Sequence, residues 1–166
     1  MAISTKDADL LSQLLKDQAD LRIYMENYAE MLPETQSYNV IGQLTGTLFP
    51  DEYIAVGGHL DSWDVGEGAH DDGSGCLQGI EVLRVFKSLK IKPKRTLRAV
   101  MWMNEENGGK GGKAYATLSE IRNENHIAAI ESDRGGFVPR GFTSTGSDKQ
   151  KQQFLKWKPI FEPYGL

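Results

Sequence analysis

Along the chain, strand-like runs take turns with stretches whose apolar residues recur at helical spacing, a pattern that predicts an α/β fold. Ser4 or Thr5 can cap a first helix with Ala8, Leu11, Leu14 and Leu15 on one face. Leu21, Ile23 and Met25 then alternate as in a strand, and Pro33 closes this opening unit. Residues 38–44 (YNVIGQL) and 52–58 (EYIAVGG) read as two strands joined through TGTLFPD as an antiparallel hairpin with a longer loop. From Gly75 a helix turns Cys76, Ile80 and Leu83 inward and stops before Pro93. The run TLRAVMWM (96–103) is almost continuously apolar, which predicts a central strand covered on both faces. The glycine-rich NEENGGKGG leads into a short helix carrying Ala114, Leu118 and Ile121, and HIAAIES (126–132) reads as another buried strand. A last helix from about Asp148 uses Phe154, Trp157 and Ile160 and is bent or ended at Pro159. There is no internal repeat and no low-complexity tract.

Strands thus run into polar, glycine-containing turns after Gly58, after Met103 and after Ser132. In open α/β sheets, the carboxyl ends of neighbouring strands are where sites assemble. The first of these turns lies within GGHLDSWDVGEGAHDDGSG (57–75), which holds two histidines, five acidic residues and six glycines in nineteen positions. A buried carboxylate cluster repels itself and loses its hydration, so such a stretch must lie open to water or surround a cation. Together the three turns supply His59, Asp61, Asp64, Glu67, Asp71, Asp72, Glu105, Glu106 and Asp133. Oxygen ligands with an imidazole suit zinc, with manganese or cobalt as feasible substitutes. A pair of ions is also consistent, because one carboxylate can bridge two cations about 3.5–4 Å apart.

Composition narrows the alternatives. The 166 residues, 39% hydrophobic and 25% charged, can form one domain with a real core. A net charge of −4 offers no basic footprint for nucleic acid or an anionic membrane, and KIKPKR reads as a solvated loop. The single cysteine, Cys76, excludes an intrachain disulfide framework and reads as a small core residue. No apolar run reaches membrane-spanning length, and MAISTKDADLL has no basic start followed by a hydrophobic stretch. GEGAHDDGSG lacks the lysine and basic surroundings that a phosphate cradle needs. His70 and His126 read as ordinary surface or capping histidines, and Asp64 and Glu67 as loop charges. Trp63 would line a pocket or shield the site.

These motifs resemble the zinc exopeptidases of the M28 metallopeptidase type, and within them the carboxypeptidase Q-like branch. GGHLDSWDVGEGAHDDGSG is similar to the first metal motif, MNEENGGKGG to the paired-glutamate motif, and IESDRGGF to the motif holding the next aspartate. The spacing is coherent, with 12 residues from His59 to Asp71, 34 more to Glu105 and 28 from there to Asp133. The resemblance implies a three-layer α/β/α fold with a mixed central sheet. It implies that Asp71 bridges two zinc ions, that His59 and Asp133 complete the protein ligands of one, and that Glu106 binds the other. Glu105 would be the general base that takes a proton from a water held between the ions and passes it to the leaving amine. Asp61 would stand behind His59 and fix its tautomer through its carboxylate. The peptide between Asp71 and Asp72 is expected to be cis.

Members of this family supply one more histidine from an HHS-like segment downstream, and the sequence ends at Leu166 before any such segment. His126 precedes Asp133 and cannot be that residue. Residues 1–36 read as the end of a preceding accessory region and the entry to the peptidase domain, and 37–166 as the N-terminal part of a C-terminally truncated catalytic domain. The resemblance implies a parent exopeptidase for short peptides, of aminopeptidase, dipeptidase or carboxypeptidase type, secreted or periplasmic. Two zinc ions are expected in the parent, and one or none, with negligible activity, in this fragment. Oligomers are expected of it, and neither nucleic acid nor membrane as a partner. The rival readings are a noncatalytic binding protein on the same scaffold and a glutaminyl-cyclase-like acyl transferase.

Overall fold

The computed structural model describes residues 3–166, which divide into two units, one running to Thr35 and the other Gln36–Leu166. In the first, α1 (Thr5–Asp17) is capped by Ser4, whose side chain accepts the Asp7 N–H. Its apolar face buries nothing, and Leu10, Leu14 and Leu15 stay exposed. Leu21, Ile23 and Met25 do not form the expected strand, since residues 21–39 have neither helix nor ladder. Alternation alone makes no strand without a partner edge.

The second unit is built on a sheet of β1 (Val40–Leu44), β2 (Phe49–His59), β3 (Arg95–Trp102) and β4 (Asn125–Glu131), in the order β1-β3-β2-β4. β3 pairs antiparallel with β1 and parallel with β2, and β2 pairs parallel with β4. The expected β1–β2 hairpin is therefore not made, because β3 lies between the two strands. The apolar run predicted to be central is central: Thr96 to Met101 are all buried. β4 is an edge strand and largely exposed, contrary to the buried strand its composition predicts.

The side chains of β3 alternate between two helices. Ala99 and Met101 pack with Cys76 of α2 (Ser74–Ser88), with Leu83 against them. Within α2, Gly79 is buried beside Gly57 and Ile80 is left exposed, so the inward face is shifted from the predicted one. On the opposite face Arg98 and Trp102 meet Tyr115 of α3 (Lys110–Ile121), giving three layers. The turn from β3 to α3 needs left-handed backbone at Asn104, Gly108 and Gly109, which accounts for its glycines. The chain ends in α4 (Asp148–Leu155), closed at its start by a Ser147–Gln150 capping box, and a short α5 (Lys158–Phe161) with Pro159 in its first turn.

Beneath the sheet sits a polar cluster that residue patterning does not anticipate. Arg98, 8% exposed, forms a two-pronged pair with Glu124 at 2.7 and 2.9 Å. The guanidinium also donates to Gln43 and Tyr115 and lies 4.0 Å from the Tyr53 ring centre. Tyr115 in turn meets His126 at 2.8 Å, so His126 belongs to this packing cluster on the face away from α2. Hydrogen bonding to Arg98 holds the Glu124 carboxyl below its ordinary range despite burial. The contribution is therefore present above the unfolded carboxyl range and is lost as pH falls through the depressed value. Glu124→Gln, which leaves a buried guanidinium half-paired, is expected to cost about 3–5 kcal/mol of stability. Urea denaturation of this variant at neutral pH checks the figure, and its stability should also vary less with acid than that of the wild type.

Candidate metal centre

β2, β3 and β4 run parallel, so their carboxyl ends open on one edge of the sheet, as their sequence turns predict. The register sets His59 opposite Trp102 and Gly57 opposite Glu131, which starts the three turns at one level. Glycines permit the crowding that follows. A Cβ on Gly57 would lie 1.7 Å from the Val100 carbonyl oxygen, and one on Gly58 would lie 2.0 Å from Asp72 Oδ2. A Cβ on Gly75 would meet the Ser132 carbonyl oxygen at 1.8 Å, so the start of α2 abuts the end of β4.

Asp72 is the anchor of this arrangement and is only 1% exposed. Its Oδ2 accepts the His59 N–H at 3.0 Å and its Oδ1 accepts the Gly75 N–H at 2.9 Å. Burial pushes its carboxyl above the ordinary range, against the pull of these two hydrogen bonds. The Asp71–Asp72 peptide is cis, as expected. The sequence offers Asp72 as one of the turn carboxylates but gives no sign that it is the buried anchor, apart from the glycines at 58 and 75 that crowd it.

His59 is buried, and its ring is held at both nitrogens. Nδ1 lies 2.8 Å from the Asp61 carbonyl oxygen, so it carries the hydrogen and donates, leaving Nε2 to face the edge. The Asp61 carboxylate is farther from Nδ1, at 3.7 Å, and the tautomer is fixed by the carbonyl of that residue instead. The carboxylate turns elsewhere, where Oδ1 accepts the Glu105 N–H at 2.9 Å and Oδ2 the Glu106 N–H at 3.2 Å. Asp61 thereby connects the turn after β2 to the paired glutamates.

Nε2 of His59 is 3.0 Å from Asp71 Oδ1 and 3.2 Å from Asp133 Oδ1. Burial alone would lower the pKa of His59. The Asp61 carbonyl, the Asp133 hydrogen bond and the charges of Asp72 and Asp133 outweigh it and raise the value to about 9. Glu106 brings a third carboxylate to this point. Its Oε1 is buried without a hydrogen-bond partner, and desolvation followed by the charge of Asp71 raises its pKa.

Two groups of side chains offer ligand atoms within 4.8 Å of one another: His59, Asp71 and Glu106, and His59, Asp72 and Asp133. Both oxygens of Asp72 already accept backbone N–H groups, which leaves Asp71 as the aspartate of the pair with an oxygen facing His59 Nε2. An unpartnered buried carboxylate oxygen amid like charges is the environment that a cation relieves, and nitrogen with carboxylate oxygen is a donor set zinc accepts. The residues present therefore fit a metal ion. His59, Asp61, Asp71, Glu105, Glu106 and Asp133 come to one edge as their motifs predict, while Asp64 and Glu67 join neither group. His70 accepts the Gly136 N–H at 3.4 Å and packs edge-on to Phe137, so it braces the turn after Asp133.

The chain is similar to known proteins over nearly its whole length. Carboxypeptidase Q of Mus musculus is 41% identical over 164 residues, covering 99% of this chain and 35% of the relative. Carboxypeptidase Q of Homo sapiens is 37% identical over the same coverage. The crystal structure of a peptidase M28 precursor from Shewanella amazonensis SB2B superposes with a TM-score of 0.79 at 35% identity, covering 99% of this chain and 37% of that one. The chain thus spans about a third of the length of the relatives it matches. Residues 39–165, which include all three site-bearing turns, match Peptidase family M28, and the chain belongs to that family.

Proposed function

We propose that this chain carries the greater part of the metal centre of an exopeptidase that hydrolyses short peptides. In this reading His59 and Asp133 would hold one zinc ion, Glu106 another, and Asp71 would contribute to both. What supports it most is the buried, unpartnered Glu106 oxygen in the same small cluster as His59 Nε2, which itself lies within 3.2 Å of Asp71 and Asp133. Zinc bound there would lower the pKa of water and polarise the scissile carbonyl.

The remaining work falls to the chain itself. Glu105 stands exposed on the β3–α3 turn with its N–H held by Asp61, so its carboxylate is free to take a proton from the attacking water and return it to the leaving amine. Glu106, next in sequence and turned inward, is committed to binding. Asp61 sets the direction of both glutamates through their N–H groups and, through its carbonyl, keeps His59 Nε2 free of hydrogen when a cation is present. Asp72 holds the His59 backbone in place beneath them.

The ligand assignment predicts how the 166-residue polypeptide takes up metal. His59, Asp71 and Asp133 offer three ligands to one ion, and the neighbouring ion would have Asp71 and Glu106. At most one zinc per chain is expected to be held tightly, as counted by elemental analysis after chelator competition; two tightly held ions would contradict the assignment. Because a raised His59 pKa of about 9 means that zinc must displace a proton, affinity should rise roughly tenfold per pH unit between about pH 6 and 7.5. An affinity flat across that range would remove His59 from the ligand set. For the base, Glu105→Gln in the intact protein should leave zinc content unchanged and lower kcat by about 100-fold or more, because the amide cannot carry the proton. Steady-state hydrolysis of a dipeptide measures this, and near-normal turnover would exclude Glu105 from the role.

A further inference from the structure

The turn carrying Glu105 and Glu106 is held a second time, from outside the site. Asn39 immediately precedes β1, on the far side of β3 from β2. Its Oδ1 accepts the Met103 N–H at 2.9 Å, and its Nδ2 donates to the Gly111 carbonyl at 2.8 Å. Those two residues are the neck of the turn, and they are also bonded to each other, with the Gly111 N–H donating to the Met103 carbonyl at 2.8 Å. One carboxamide therefore closes both ends of the segment that presents the paired glutamates.

The neck is built around this side chain. A Cβ on Gly111 would lie 2.3 Å from Asn39 Oδ1 and 2.3 Å from the Met103 carbonyl oxygen, so no larger residue fits there while the contact is made. Within the turn, the Gly109 N–H donates to the Asn104 carbonyl at 2.7 Å, and Asp61 takes the N–H groups of both glutamates. The segment is thus gripped from the end of β2 by Asp61 and from the start of β1 by Asn39. A carboxamide supplies both the donor and the acceptor that this neck requires, from two atoms set apart in one plane. An aspartate would set a charge against the Gly111 carbonyl, and an aliphatic residue would leave the Met103 N–H without this acceptor and take the second donor from the Gly111 carbonyl.

We propose that Asn39 is a positioning residue for the metal centre: by stapling Met103 to Gly111 it fixes where Glu105 and Glu106 stand. The inference rests on the reading of those glutamates as base and ligand. It places a functional residue 20 positions before His59, just ahead of a strand whose sequence carries no metal motif.

The test compares Asn39→Ala and Gly111→Ala with Ile41→Ala in the intact protein. Ile41, on β1 two residues after Asn39, lines a cavity with Tyr115, Leu118 and Ser119 of α3, so its truncation removes packing between β1 and α3 and leaves the staple intact. Hydrogen exchange at residues 103–111, zinc affinity by chelator competition, and kcat and KM on a dipeptide are measured for each. Asn39→Ala and Gly111→Ala should exchange faster in this segment, and bind zinc and turn over about tenfold or more less well, with KM changed less than about twofold. Ile41→Ala should do none of these beyond what its loss of Tm explains. If Asn39→Ala matches Ile41→Ala, Asn39 is only structural and the proposal fails. Faster exchange with unchanged zinc affinity and kcat also overturns the positioning role, while leaving the site intact. Wild-type protein that takes up no zinc overturns the site reading on which the inference rests.

Discussion

A buried carboxylate with both oxygens occupied by backbone N–H groups, that of Asp72, is the constraint on which the edge of the sheet depends. It joins the last residue of β2 to the first turn of α2, and the glycines on either side exist to let it do so. Gly58 has no room for a side chain because the Asp72 carboxylate fills that room, and at Gly75 the carboxylate shares that room with the Ser132 carbonyl oxygen. Beside the fixed Asp72, Asp71 faces the other way, toward His59 Nε2. Adjacent, chemically identical residues thus take opposite places, one inside the fold and one at its edge.

The electrostatics of that edge follow from the crowding. Asp71, Asp133 and Glu106 converge on one imidazole, and Asp61 stands behind it. Burial opposes a charge on that imidazole, but the Asp61 carbonyl, the Asp133 hydrogen bond and the charges of Asp72 and Asp133 outweigh it and raise its pKa to about 9. A proton on Nε2 and a metal ion on Nε2 answer the same repulsion, and they exclude each other. The fold accordingly keeps its carboxylates together by hydrogen bonds to backbone, those of Asp61 and Asp72, and these do not depend on which cation is present.

Local chemistry was legible in the sequence, and pairing was not. The strand ends at His59, Trp102 and Glu131, each one residue from the position its turn predicts, the helix begun near Gly75 and the capping of α1 and α4 all follow from residue types within a few positions of one another. The partner of β1 does not. Residues 38–44 and 52–58 alternate as hairpin strands would, yet the fully buried β3 needs a neighbour on each side and takes β1 as one of them. The Arg98–Glu124 pair was hidden because an arginine within an apolar run gives no sign of a carboxylate 26 residues away. That Asp61 stands close to His59 follows from their spacing, but which of its oxygens meets which neighbour is a matter of backbone direction that residue identity does not encode.

A metal ion at this sheet edge would be held by His59 Nε2 and the carboxylates around it. Anomalous diffraction at the zinc absorption edge, from crystals grown with one equivalent of zinc, tests this most directly. The account predicts a peak about 2.0–2.2 Å from His59 Nε2 and from carboxylate oxygens of Asp71 and Asp133. A peak on His70 or His126 instead, or no peak on a folded chain, would contradict it.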